Sequence, residues 1–132
     1  MGLDFSHGGA HWSYRGFNSF RRRLAQEEGF NLNEMEGFEP LWEIDVPKGR
    51  PWSEVNTQLV ALLNHSDCDG ELSPLECAEV GARLEEILDK WRDQDNADDN
   101  GDFSLAYDYQ MGRKLLAGMQ ECVRLTVPLE FR

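Results

Sequence analysis

Hydrophobic positions in this chain recur mainly at spacings of three and four residues, the period of an amphipathic helix. Phe17, Phe20 and Leu24 share one face of a segment that Ser13 can cap and Gly29 can stop, which predicts a helix to about Glu28. Val55, Leu59, Leu62 and Leu63 predict a second helix, capped by Ser53. Val80, Leu84, Ile87, Leu88 and Trp91 predict a third, from Pro74 to about Asp93. Its start is the best specified in the chain: Ser73 as N-cap, Pro74 in the first helical position and Glu76 three residues after the cap. A fourth starts at Ser104 and runs through Met111, Leu115, Met119 and Cys122.

Near the end the period changes to two. Leu125, Val127, Leu129 and Phe131 alternate with Thr126, Pro128, Glu130 and Arg132, which predicts an edge strand that tolerates Pro128. Leu41 to Val46 is a second strand candidate and the expected partner, inside a loop (30–52) punctuated by Gly37, Pro40, Pro47, Gly49 and Pro51. Residues 93–102 hold five aspartates and read as a solvated linker. The expectation is one mainly α domain over residues 1–132, with about four helices, an EF-hand-like helix–loop–helix and a small two-stranded β element. A chain of 132 residues can bury one core without staples.

Charge narrows the function classes. The net charge of −12 is uneven: residues 1–25 set four arginines against Asp4, while residues 64–108 set fourteen acids against Arg83, Lys90 and Arg92. This argues against nucleic acid and anionic membranes as partners, and fits a cation or a basic protein partner. The Arg21-Arg22-Arg23 run could contact phosphate, but the polar face of the first helix, paired with the domain's own acids, is its expected place. The longest aliphatic run, Leu59 to Leu63, is far short of a membrane span, and no signal segment follows the start. Met1 to Ser6 fits the loose N-myristoylation pattern, which recurs by chance. With three cysteines and no C-x-x-C pair, a cytoplasmic location with reduced thiols is expected.

Residues 65–76 carry the candidate chemistry. An EF-hand loop places oxygen ligands at positions 1, 3, 5, 7, 9 and 12 and glycine at position 6. With Gly70 at position 6, Asp67 and Asp69 fall at 3 and 5, and the Glu71 carbonyl at 7. Ser73 falls at 9, Glu76 at 12, and Leu72 supplies the apolar residue at 8. From about Ser53 to Ile87 the sequence resembles the EF-hand family, which implies a divalent cation held by His65, Asp67, Asp69, Glu71, Ser73 and Glu76. The departure is His65 at position 1, normally aspartate. An imidazole suits manganese or zinc better than calcium, and calcium affinity no better than about 10⁻⁴ M is expected. The competing reading is a turn followed by an ordinary capping box.

Other readings use the same acids and histidines. Asn96 to Tyr107 fits a second loop at several positions, but Tyr107 stands at position 12, and an acidic linker is the simpler account. The string His65-x-Asp67-x-Asp69-Gly70-x-x-Ser73 resembles the first metal motif of the DHH phosphoesterases, which implies manganese-dependent hydrolysis. The later Asp-His-His cluster of those enzymes is missing here. His7-x₃-His11 and His65-x₂-Cys68 could form a mixed zinc site if the N-terminal segment folds over the loop. No nucleophile elbow or P-loop is present.

The opening Gly-Leu-Asp-Phe-Ser-His, the helix around Tyr14, Phe17 and Phe20, the His65–Glu71 string and the closing Pro128-Leu129-Glu130-Phe131 resemble a group of small proteins of actinobacteria and their phages. That group implies no activity. The expected function is a non-enzymatic module with one divalent-cation loop for calcium, manganese or zinc. A metal-dependent hydrolase and an acidic inhibitor of a basic surface are the alternatives.

Overall fold

Ser13 turns the chain into its first helix, α1 (Tyr14–Glu27), by accepting the Gly16 N–H on its hydroxyl at 3.0 Å. The helix ends where expected. Gly29 takes φ 86°, which costs glycine nothing, and lets the Gly29 and Phe30 N–H groups satisfy the Gln26 and Ala25 carbonyls, each at 3.1 Å. Phe17, Phe20 and Leu24 are fully buried. The computed structural model describes residues 2–30, 32, 35, 51–55, 57–64, 70–92 and 105–131. The strand expected over 41–46, most of the loop around it and the acidic run 93–102 lie outside these residues.

The second helix departs from its expectation. Trp52–Glu54 is a single 3-10 turn with Ser53 inside it, and Pro51 precedes it without a side-chain cap. The helix proper, α2, is only Val60–Leu63, although Leu59, Leu62 and Leu63 are buried as the pattern requires. A short apolar run specifies burial without specifying how long its helix must be.

Helices α3 (Pro74–Arg92) and α4 (Leu105–Leu125) form the framework. They pack antiparallel: a side chain begun at Gly112 would strike Leu88 Cδ2 at 2.7 Å, and one at Gly81 would touch Leu116 at 3.5 Å. Val80, Leu84, Ile87, Leu88 and Trp91 line the core side of α3.

Among the described residues, two small antiparallel sheets accompany the helices. β1 (Gly2–Asp4) pairs with β2 (His11–Ser13), placing Leu3 opposite Trp12. The turn between them crosses α4 so closely that a Cβ on Gly8, where φ is 90°, would collide with the Lys114 carbonyl oxygen. β3 (Glu71–Leu72) pairs with β4 (Leu129–Glu130), in register Glu71 with Glu130 and Leu72 with Leu129. Among the described residues the tail therefore takes the candidate loop as its partner, where the sequence pattern pointed to residues 41–46. On its other side the tail meets the N-terminal segment through a Phe5–Phe131 bridge and a Ser6 N–H bond to the Glu130 carbonyl at 3.0 Å.

The period-two reading of the tail holds over Leu129, Glu130 and Phe131, which alternate buried, exposed and buried. Leu125 instead ends α4 and is 45% exposed. Thr126 then adopts φ 57°, so that the Val127 N–H can reach the Cys122 carbonyl at 3.0 Å. A β-branched residue is strained in this left-handed conformation. Thr126→Gly is expected to raise stability by about 1 kcal/mol, read as a higher urea midpoint. An unchanged or lower midpoint would show that the turn carries no recoverable strain.

Candidate functional site

The second half of the candidate loop has a defined geometry; His65, Asp67 and Asp69 lie outside the described residues. Gly70, at position 6, has φ 101°, a conformation that residues with a side chain rarely adopt. Its carbonyl accepts the Phe131 N–H at 2.8 Å. Successive carbonyls of a strand point to opposite sides, so the Glu71 carbonyl at position 7 is turned away from β4. Leu72 at position 8 is fully buried.

Ser73 and Glu76 close a reciprocal capping box. The Glu76 N–H bonds Ser73 Oγ at 3.2 Å, and the Ser73 N–H bonds Glu76 Oε1 at 2.9 Å. Glu76 thus has structural work without a cation. Ser73→Ala is expected to cost about 0.5–2 kcal/mol in metal-free protein. A cost seen only in the presence of metal would contradict the cap.

The structure adds one acid that the sequence pattern did not single out. Glu130 stands directly across from Glu71, and both side chains are exposed. Like charges facing each other across two strands repel, which a cation beside them would relieve. No sequence signal pointed to Glu130, because its neighbour depends on which strand the tail chooses.

Arg21 is 2% exposed, with its guanidinium 4.8 Å from the Phe17 ring centroid and Nη1 donating to the Leu63 carbonyl at 3.4 Å. This corrects the expectation that residues 21–23 all lie on a polar face; Arg23 does pair with an acid, Asp108. Leu63 ends α2, so this bond ties α1 to the segment that leads into the loop.

The two N-terminal histidines go separate ways. His7 Nδ1 lies 2.9 Å from Ser6 Oγ and 3.4 Å from Cys122 Sγ. His11 Nδ1 meets Asp4 at 2.9 Å, while the His11 N–H reaches the Met111 sulfur. Met111 and Cys122 are eleven residues apart on α4, about 16 Å along its axis. The two imidazoles thus face different partners in this structure. Among the described residues no three His, Cys, Asp or Glu side chains come together as a metal group. Tyr107, at position 12 of the second candidate loop, lies within α4 and donates its hydroxyl to the His11 carbonyl at 2.7 Å.

The two described cysteines, Cys77 and Cys122, are poor nucleophiles. Burial, reinforced by Cys122, pushes the Cys77 thiol up to about 11, and burial also raises Cys122. Both stay protonated near neutral pH. Among the described residues no helix is long and apolar enough to cross a membrane.

No protein-family model, no curated protein and no solved structure matches this chain.

Proposed function

We propose that the protein is a non-enzymatic binding module whose loop 65–76 holds one divalent cation. The observation that carries this reading is the backbone from Gly70 to Glu76. It joins a left-handed glycine at position 6, an outward Glu71 carbonyl, a buried Leu72 and a helix opening at Pro74. These are the demands that an EF-hand loop makes of its second half. Asp67, Asp69 and Glu76 supply carboxylates, and His65 supplies a nitrogen in place of the usual first carboxylate.

Binding is weak on this reading. Glu76 must give up its bond to the Ser73 N–H, a loss of about 1 kcal/mol. The nitrogen ligand shifts preference toward manganese and zinc over calcium.

A cation that binds only the folded state raises its melting temperature. Millimolar manganese or zinc is expected to do so at lower concentration than calcium. His65→Asp should reverse that order. Asp69→Asn with Glu76→Gln should abolish the response while the cap persists, since a glutamine oxygen also accepts the Ser73 N–H. Melting that ignores all three metals at millimolar concentration would leave the loop as a turn with a capped helix.

A further inference from the structure

The α3–α4 pair presents apolar surface away from the core as well as toward it. Leu75, Ala78 and Ala82 recur at helical spacing on the solvent side of α3, and Leu75 is 69% exposed. Across the groove on α4 stands Val123, 40% exposed. Between them lies an open crevice of about 230 Å³, with Cys77 and Gly81 at its floor and Ala78, Ala82, Glu85 and Val123 around it. The crevice exists because Ala78, Gly81 and Ala82 carry almost no side chain. It is smaller than the roughly 300–1,000 Å³ of small-molecule pockets, and suits one apolar side chain of a partner.

Charge selects the occupant. Glu79 and Glu85 flank the apolar stripe, and neither forms an ion pair or side-chain hydrogen bond among the described residues. A second copy of the chain, at −12, is repelled. So are the chain's own segments: residues 36–50 hold four acids against Lys48 and Arg50, and residues 93–104 hold five acids and no base.

We propose that the outer groove between α3 and α4 docks a basic amphipathic helix from a partner protein. Its apolar face seats one side chain in the crevice beside Gly81 and others along Leu75, Ala78, Ala82 and Val123. Its Lys or Arg residues meet Glu79 and Glu85. Two antiparallel helices leave a groove into which the ridge of a third packs. The proposal does not depend on the cation loop, so its test is run in chelator.

The probe is a synthetic peptide with Leu at helical spacing and Lys elsewhere, beside a scrambled peptide of the same composition. The patterned peptide is expected to bind about tenfold tighter, with amide shifts confined to residues 75–86 and 116–125. Ala78→Glu with Ala82→Glu adds two acids while blocking the groove. Pure charge attraction would make that variant bind tighter; groove docking makes it bind about tenfold weaker. Both positions are exposed, so its melting temperature should stay near that of the unaltered protein. Equal binding of the scrambled peptide, tighter binding by the variant, no binding, or shifts elsewhere would overturn the proposal. Concentration-dependent dimerisation in sedimentation would give the groove to a second copy instead.

Discussion

Phe17→Ala is expected to cost about 3–5 kcal/mol in urea unfolding. Phe17 is fully buried and meets rings from three parts of the chain. Its ring centroid lies 6.0 Å from Phe5, 5.4 Å from Trp12 and 6.2 Å from Phe131, so it joins the residue after β1, β2 and the tail to α1. The Arg21 guanidinium also rests on it. Removing the ring leaves a cavity that three separate elements would have to close together, which places the cost toward the upper end. A loss below about 0.5 kcal/mol would mean that α1 lies on the surface.

Asp108→Ala should cost about 3 kcal/mol. The carboxylate is fully buried, with Oδ1 accepting the Trp12 indole N–H and Oδ2 accepting Arg23 Nε, each at 3.1 Å. Truncation strands the indole N–H in the core, a large part of the cost. Arg23 is 30% exposed, so water recovers some of its hydration, and the estimate stays at the low end of the range for broken buried pairs. Asp108→Asn retains an acceptor for the indole and should lose less than the alanine variant. Equal losses for the two would assign the effect to packing, and a loss under about 1 kcal/mol for alanine would mean that water takes the carboxylate's place.

The candidate site was legible to different depths along its length. Gly70, Leu72, Ser73 and Glu76 could be assigned from spacing, because a left-handed turn, a buried strand position and a capping box each restrict residue type locally. Glu130 could not, since its position facing Glu71 follows from a strand pairing 59 residues away in the chain. Arg21 could not either. A long cationic side chain on a helix is ordinarily solvated, whereas here the Phe17 ring and the Leu63 carbonyl help to hold it buried.

By itself the sequence determined the local events. Ser13 and Gly29 bound α1, Ser73, Pro74 and Glu76 begin α3, and the three- and four-residue spacing of Phe17, Phe20, Leu24 and of Val80 to Trp91 chooses their buried faces. Caps, left-handed glycines and helical periodicity act within a few residues, so their energetics are written in adjacent letters. Tertiary structure alone decided which strands meet. β1, β2 and β3 are two or three residues each, too short for a period-two signal; the alternation of the tail announces β4 but not its partner, which is set by what α3 and α4 bring near. The tail pairs with β3 because Leu129 and Phe131 bury there beside Leu72 and Phe5, a long-range gain to which no local pattern points.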